Sequence, residues 1–168
     1  MNSSSHKIVK RPTPNDVFIT PIPLVHTHID MCREYIDPND ILFDPFYGTG
    51  NYYNIMKTIS TTEYTEITQG KDFFEYQGSP NVIISNPPYS MIDAVFQKSV
   101  ELRPHTISYL IGQGNLTTRR IEYMNSHGYF LSKLHMTKVW KWYGFSLIVV
   151  FTKKAGQNCI SFDRIVYR

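Results

Sequence analysis

Short apolar runs alternate with longer amphipathic segments along most of this chain. The runs are rich in β-branched and aromatic residues, and they predict strands at 41–43, 61–67, 81–85 and 106–111. The amphipathic segments predict helices at 24–35, 51–59 and 91–102, with a fourth from Thr117 or Thr118 to Gly128. Strands separated by helices form a mostly parallel sheet covered on both faces, so the pattern predicts a doubly wound α/β domain.

The C-terminal part of the chain departs from this alternation. Segments 130–139 and 145–152 predict two strands joined by an aromatic and basic connection, and 159–167 is a candidate for one more. Consecutive strands without an intervening helix favour an antiparallel hairpin. Residues 1–15 are too polar to join a core, so we predict a flexible arm over 1–15 and a single domain over 16–168.

Length and composition narrow the class of protein. The chain has 168 residues, of which 42% are hydrophobic and 14% aromatic, and this suits one folded domain. No apolar run approaches the roughly 18 residues of a membrane span, and no signal segment is evident, so we expect an intracellular protein. Cys32 and Cys159 stand in no ligand or redox motif, and His26 and His28 have no partner cluster, so no metal site is predicted.

The charge is unevenly distributed along the chain. The net charge is +3, but residues 1–100 carry 7 Lys and Arg against 11 Asp and Glu, whereas residues 101–168 carry 10 against 3. The two parts therefore have net charges of −4 and +7. A surface that binds nucleic acid requires such a basic region, although many proteins that bind none also have one.

A glycine-rich segment, Asp-Pro-Phe-Tyr-Gly-Thr-Gly at 44–50, joins the first predicted strand to a helix. Glycines here let the backbone approach a cofactor, and a helix N-terminus favours a carboxylate; an ordinary strand-to-helix turn is the alternative. Glu66, 22 residues after the start of this segment, is placed to bind ribose hydroxyls, with Glu63 as the weaker candidate. Asp72 and Phe73 can offer a carboxylate and a ring to an adenine, although Phe73 also suits the core.

A second motif, Asn86-Pro87-Pro88-Tyr89, ends the most apolar predicted strand. Two prolines remove two N–H donors and stiffen the backbone, so the Asn86 side-chain oxygen and the Pro87 carbonyl can form a pair of acceptors. This pair suits an exocyclic NH₂ group, whose lone pair then faces an electrophile, while the Tyr89 ring stacks on a base. A Pro-Pro turn that merely ends a strand is the alternative.

Together these motifs resemble those of class I S-adenosylmethionine-dependent methyltransferases, specifically the amino-methyltransferases with an Asn-Pro-Pro-Tyr or Asn-Pro-Pro-Phe motif. The likeness covers about residues 16–112 and includes an upstream Thr-Pro segment. It implies S-adenosylmethionine as the cofactor. The cofactor-binding residues that it implies are Thr20, Pro21, Asp44, Pro45, Phe46, Gly48, Gly50, Glu66, Asp72 and Phe73. The residues that it implies at the target amino group are Asn86, Pro87, Pro88 and Tyr89.

The resemblance also implies a Rossmann-like fold with a seven-stranded, mostly parallel sheet. The order of the motifs is similar to the γ arrangement of DNA amino-methyltransferases, and the brevity of the chain is similar to phage and large-virus adenine methylases. Unlike most enzymes of this arrangement, the chain has no segment long enough for a target-recognition domain. Target recognition then depends on short loops, on the N-terminal arm, or on a partner chain or second copy, or is nearly absent.

The segment 138–143 interleaves cations and aromatic rings before the last long strand. Lysines can contact phosphates while rings stack on unpaired bases, so we predict a substrate-binding surface there. A hairpin whose tryptophans cover the core remains the alternative. The candidate residues are Lys138, Trp140, Lys141 and Trp142, together with Arg119 and Arg120 on the preceding helix.

The predicted function is methyl transfer to an exocyclic amino group of a nucleic-acid base, adenine N6 in DNA. The basic C-terminal part favours nucleic acid as the partner. The alternatives are an RNA base N-methyltransferase, a glutamine-N5 protein methyltransferase, and a catalytically silent subunit of a methyltransferase complex. Glutamine is included as a substrate because its carboxamide NH₂ group fits the same pair of acceptors. Cytosine N4 is a further alternative, although its enzymes more often have Ser or Asp before Pro-Pro.

Overall fold

The computed structural model describes residues 18–139 and 142–162, so the predicted arm at 1–15 lies outside the described residues. Within them the strands form one sheet with helices on both of its faces. Its strands are β1 (Leu42–Asp44), β2 (Thr62–Tyr64), β3 (Val82–Ser85), β4 (Thr106–Gly112), β5 (Phe130–Thr137) and β6 (Ser146–Thr152). Its α-helices are α1 (Ile22–Cys32), α2 (Asn51–Met56), α3 (Ile92–Glu101) and α4 (Thr118–Ser126).

The strands form one sheet in the order β2-β1-β3-β4-β6-β5. Strands β1 to β4 are parallel, β6 is antiparallel to β4, and β5 is antiparallel to β6, so β5 shares the direction of β1 to β4. The described residues contain six strands rather than the expected seven. In the candidate segment at 159–167, residues 159–162 form no strand, because Cys159 makes a single backbone bond to Leu131 instead of a ladder, and the remainder lies outside the described residues.

Alternate strand positions form a core on each face of the sheet. On one face Leu42 and Ile84 belong to a cluster that includes the buried residues of α1 and α2. On the other face Phe43 and Ile83 belong to a cluster with the buried residues of α3 and α4. The central strands β1, β3, β4 and β6 are therefore covered on both sides, which explains why they are largely apolar, whereas β2 and β5 are partly exposed.

Two element boundaries differ from prediction for reasons visible in the structure. Helix α1 begins at Ile22 rather than at residue 24, because Pro23 lies in its first turn, where no intrahelical N–H bond is lost. Strand β2 ends at Tyr64 rather than at residue 67. The Glu66 side chain accepts a bond from the Thr68 amide and begins a short 3₁₀ turn instead.

The carboxyl ends of β1, β2 and β3 meet at one edge of the sheet, and they bring the glycine segment, Glu66 and Asn86 to that edge. Ligands of open α/β sheets bind at this edge. At the opposite edge, His105 Nε2 lies 2.9 Å from Asp40 Oδ2 and joins the loops that precede β4 and β1. Within the described part of the chain, every helix is too short or too polar to cross a membrane.

Candidate active site

A cleft of about 440 Å³ is built from the segments that follow β1, β2 and β3. Its walls include residues 18–20, 45–49, 66–68 and 72–74, with Asn86 and Pro88 from the segment after β3. Small-molecule pockets in proteins usually have volumes of about 300–1,000 Å³. The cleft is therefore large enough for a ligand of nucleoside size.

Most of the residues that the resemblance assigns to a cofactor meet in this cleft. Those that line it are Thr20, Pro45, Phe46, Gly48, Glu66, Asp72 and Phe73. Pro21, Asp44 and Gly50 do not line it. Pro21 immediately precedes α1 and is exposed, whereas Asp44 and Gly50 are buried.

The two glycines of the turn have different roles. Gly50 has a φ of 81°, and a Cβ atom there would lie 2.6 Å from the Tyr47 ring, so the turn itself requires this glycine. Gly48 has a φ of 54°, but a Cβ atom there would meet only the Phe46 carbonyl, at 3.9 Å. Open space therefore lies beside Gly48, on the wall of the cleft.

Glu66 ties the glycine turn to the segment after β2. Its Oε2 accepts the Gly48 amide at 2.8 Å, and its Oε1 accepts the Thr68 amide at 3.1 Å and the Thr68 hydroxyl at 2.9 Å. Partial burial opposes ionisation, but the bonds from Thr68 and Gly48 outweigh it and lower the pKa of Glu66 below its ordinary value. Glu63 instead accepts the Tyr76 hydroxyl and does not line the cleft.

Asp44 is fully buried at the end of β1. The Ser85 hydroxyl donates to its Oδ1 at 2.6 Å, and the Phe46 amide donates to the same oxygen at 3.3 Å. Burial raises the pKa of Asp44 to about 7, although these donors and the Tyr53 amide act in the opposite direction. The carboxyl group is therefore divided between its neutral and ionised forms near neutral pH.

The Asn86 side chain is held by the segment that precedes α1. Its Nδ2 donates to the Phe18 carbonyl at 2.9 Å and to the Thr20 hydroxyl at 3.2 Å. Because a carbonyl only accepts, the nitrogen must face Phe18. Oδ1 remains buried without a hydrogen-bond partner, which is rare for a buried acceptor. Pro88 lines the cleft and Pro87 does not, so only the Asn86 half of the predicted acceptor pair lies at the cleft.

A buried histidine lies behind this contact. The Ser108 hydroxyl donates to the Val149 carbonyl at 3.0 Å, so it accepts from His28 Nε2 at 2.8 Å. The unprotonated Nδ1 then accepts the Tyr52 hydroxyl at 2.8 Å. Burial lowers the pKa of His28 to about 3, so the ring is neutral at ordinary pH.

Further hydrogen bonds link Tyr52 through Thr20 to Asn86. The Tyr52 oxygen accepts the Thr20 hydroxyl, which leaves the Thr20 oxygen to accept from Asn86. The donors therefore all point one way, from Asn86 through Thr20 and Tyr52 to His28. We call this series the buried hydrogen-bond chain. It holds Thr20 as an acceptor for Asn86 and thereby takes up the second amide hydrogen.

The Tyr89 ring is covered rather than open. The Phe18 ring lies on it with a centroid separation of 5.9 Å and an angle of 20° between the planes. Phe18 lines the cleft and Tyr89 does not. The segment before α1 therefore crosses the Tyr89 ring, and stacking of a base on that ring stays a prediction.

The two arginines of the predicted substrate surface differ in their surroundings. Arg120 Nε donates to Asp93 Oδ1 at 2.7 Å, and its Nη1 donates to the Asn115 carbonyl at 2.7 Å. Arg120 therefore joins α4 to α3 and to the loop after β4. Arg119 is exposed.

Residues of the aromatic and basic connection between β5 and β6 also make contacts within the fold. Lys138 is exposed, and its Nζ donates to the carbonyls of Trp142 and Gly144 at 2.6 and 2.7 Å. The Trp142 ring is partly buried, and its edge meets Phe18 at a centroid distance of 5.3 Å. Trp140 and Lys141 lie outside the described residues.

Three residues of the site were not identified from the sequence. His28 shares a helix face with the buried Val25 and Ile29, and this spacing was a signal that it lies in the core. Tyr52 and Phe18 had no such signal, because their roles depend on partners far away along the chain.

Neither a protein-family model nor a curated protein matches the sequence of this chain. Its fold is nevertheless that of methyltransferases of known structure. A Pyrococcus horikoshii protein described as a candidate RNA methyltransferase matches 80% of this chain over 85% of its own length, with a TM-score of 0.66 and 14% identity.

Two further structures extend this likeness. A chain of the E. cuniculi Mtq2–Trm112 complex, described as responsible for methylation of the termination factor eRF1, matches 83% of this chain over 99% of its own, with a TM-score of 0.65 and 14% identity. Magnesium protoporphyrin IX methyltransferase of Synechocystis, with bound S-adenosylmethionine, matches 79% of both chains, with a TM-score of 0.62 and 10% identity. At such identities the likeness shows the fold alone.

Replacing Tyr52 with phenylalanine tests the buried hydrogen-bond chain. The variant keeps the ring but removes the hydroxyl that joins Thr20 to His28, so we expect the free energy of unfolding to fall by about 1–3 kcal/mol. Chemical denaturation measures this loss. The ¹⁵N resonance of His28 Nδ1 should shift as well, because that nitrogen loses its donor.

Tyr109→Phe is the matched control. It removes another fully buried tyrosine hydroxyl, which is paired with Ser99 at 2.7 Å, and should cost a similar free energy without changing the His28 spectrum. A wild-type His28 ring with its proton on Nδ1 would contradict the assigned direction of the chain.

Asp44→Asn tests the buried carboxyl group. The folded pKa of about 7 lies above the ordinary 3.8, so ionisation disfavours the folded state. This penalty is absent well below pH 3.8, grows as the pH rises towards 7, and is constant above it. The variant cannot ionise, so its stability relative to wild type should increase over that range, by up to about 1.4 kcal/mol per pH unit. Urea denaturation at several pH values measures it; a difference that does not vary with pH would contradict the raised pKa.

Proposed function

We propose that this chain is an S-adenosylmethionine-dependent methyltransferase that modifies an exocyclic amino group of a nucleic-acid base, adenine N6 in DNA. The observation that carries the proposal is the buried Oδ1 of Asn86, an acceptor without a partner beside a cleft of nucleoside size. A substrate NH₂ group supplies the donor that this oxygen lacks.

The cleft residues suit S-adenosylmethionine. Glu66 offers an ionised carboxylate to hydroxyl donors of the ribose, while Asp72 and Phe73 offer a carboxylate and a ring to the adenine. The open space beside Gly48 admits close approach to the backbone. The methyltransferase from Synechocystis that binds this cofactor has a similar fold. When bound, the cofactor supplies a methyl group on a positively charged sulfur.

Asn86 provides the positioning in this proposal. Its Oδ1 accepts one hydrogen of the target NH₂, which raises the electron density on the nitrogen and directs the lone pair towards the cleft. The bonds to Phe18 and Thr20 prevent the amide from rotating to present its own NH₂ group. Bound S-adenosylmethionine would supply the methyl group to this nitrogen with its sulfur as the leaving group, and the methylated nitrogen would release its proton to solvent.

Two features support a nucleic-acid base as the target. Residues 101–168 carry a net charge of +7, and Phe18, Tyr89 and Trp142 form an aromatic cluster beside Asn86. Adenine in DNA is preferred because the glycine segment and the Asn-Pro-Pro-Tyr motif resemble those of DNA adenine-N6 enzymes. The proposal includes a partner chain or second copy that contributes to target choice.

A glutamine side chain of a protein is the second candidate substrate. Its carboxamide NH₂ has the same hydrogens to donate to Asn86. A chain of similar fold belongs to the complex described as responsible for methylation of the termination factor eRF1, so a protein substrate is kept as the second candidate. Asn86 can accept a hydrogen bond from the NH₂ group of either substrate, so both substrates are assayed.

The first test is transfer of a tritiated methyl group from S-adenosylmethionine to single-stranded DNA, duplex DNA, RNA and a protein extract. We expect incorporation into DNA, recovered as N6-methyladenine by mass spectrometry. Asn86→Ala should lower kcat by about 100-fold or more, because the positioning acceptor is lost, while calorimetry shows little change in cofactor affinity.

Asn125→Ala is the matched control for this test. Asn125 lies on α4 and also has a buried Oδ1 without a partner, so its removal should leave kcat near the wild-type value. Full activity of Asn86→Ala would overturn the assigned role. Labelling of protein alone would instead select the glutamine substrate.

Gly48→Ala tests the cofactor site. The added methyl group enters the open space beside the turn, so we expect the affinity for S-adenosylmethionine to fall by about tenfold or more, as measured by calorimetry. Gly128→Ala is the control, because Gly128 also has a positive φ, 81°, with nothing within 4 Å of an added Cβ. Both variants carry the backbone strain of a non-glycine residue, about 1–2 kcal/mol. Equal cofactor affinities in the two variants would contradict the placement of the cofactor.

A further inference from the structure

Phe18 separates two aromatic rings from the cleft. Its ring stacks on Tyr89 with a lateral offset, at a centroid distance of 5.9 Å, and makes an edge contact with the Trp142 ring at a centroid distance of 5.3 Å. Phe18 lines the cleft, whereas neither Tyr89 nor Trp142 does. Without the Phe18 side chain, the cleft would therefore extend onto the face of Tyr89.

The position that Phe18 occupies is a slot for one flat ring. The separation from Tyr89 is that of an offset stacked pair and is too short for a third ring to lie between the two. On the sheet side, a Cβ atom at Gly112 would already lie 3.4 Å from Tyr89 Cε2, so the end of β4 supports the tyrosine ring. Phe18 is the part of this cluster that can be exchanged for a ligand.

The slot adjoins the acceptor proposed for methyl transfer. The Phe18 carbonyl accepts the Asn86 amide at 2.9 Å, so the same residue that holds Asn86 also fills the slot. The contact to Asn86 uses only the main chain of Phe18. Rotation of the Phe18 side chain about its Cα–Cβ bond can therefore empty the slot while the carbonyl remains in place.

We propose that Phe18 is a specificity-determining residue: its ring fills the stacking position beside Tyr89, and only a planar aromatic amine that replaces it there reaches Asn86. This proposal rests on the proposed methyltransferase function. A base compensates for the displaced phenyl ring because its own face stacks on Tyr89. A glutamine carboxamide has no ring to replace the lost contact, so Phe18 selects against it.

The test compares wild type with Phe18→Ala and Phe18→Leu, using a short single-stranded oligodeoxynucleotide that contains one adenine. Both variants keep the carbonyl that holds Asn86, and leucine keeps much of the apolar volume. If Phe18 fills the slot in about nine molecules of ten, its removal should tighten oligonucleotide binding by about tenfold. Tryptophan fluorescence titration in the presence of S-adenosylhomocysteine measures this affinity, and steady-state kinetics should show a lower KM with kcat little changed.

Phe145→Ala is the matched control, because Phe145 is an exposed phenylalanine outside the cleft, and its removal should leave affinity and KM unchanged. Unchanged or weaker oligonucleotide binding by both Phe18 variants would overturn the proposal, and so would a fall in kcat without a change in KM. The fluorescence titration does not depend on turnover. Tighter oligonucleotide binding by the Phe18 variants without any methyl transfer would support the role of Phe18 and reject the proposed function. Methyl transfer by wild type, with oligonucleotide affinities of the Phe18 variants equal to that of wild type, would support the proposed function and reject the role of Phe18.

Discussion

The orientation of the Asn86 amide is the constraint on which the candidate site depends. Both of its N–H hydrogens are taken by residues that lie 68 and 66 positions earlier in the chain, Phe18 and Thr20. A rotated amide would bring its oxygen against the Phe18 carbonyl, which is repulsive, so one orientation is strongly preferred. The start of α1 and the end of β3 are thereby joined, and the site has an acceptor in a defined place before any ligand binds. Such preorganisation is what an enzyme requires of a positioning group.

The interior beside the cleft combines two buried titratable groups that both favour their neutral forms. Burial lowers the pKa of His28 to about 3 and raises the pKa of Asp44 to about 7. The neutral imidazole keeps one nitrogen as donor and the other as acceptor, and the direction of the buried hydrogen-bond chain depends on that difference. Asp44 remains responsive, since a cationic ligand in the cleft would favour its ionised form.

The sequence pattern predicted the elements whose buried positions give a clear apolar periodicity. Strands β1, β3 and β4 and helix α3 lie within one residue of their predicted ends, because apolar periodicity follows from burial on the two faces of the sheet. The meeting of the glycine segment, Glu66 and Asn86 follows from strand order alone. Polar pairs between distant segments leave no such mark: His28 and Ser108 are 80 residues apart, and Arg120 meets Asp93 on another helix. Phe18 follows a polar N-terminal segment, and this sequence context does not distinguish a packed ring from an exposed one.

The cations of the predicted substrate-binding surface offer fewer free donors to a ligand than the net charge of residues 101–168 indicates. Arg120 and Lys138 donate to groups within the fold, so these two cations are less available to a polyanion than the basic C-terminal region implies. Taking a base out of a duplex costs a few kcal/mol, which proteins offset with contacts to the flanking backbone. An unpaired base carries almost none of that cost and needs only a flat surface such as the Tyr89 ring. Under the proposed function, the described residues therefore suit an unpaired base, or one opened by a partner, better than an intact duplex.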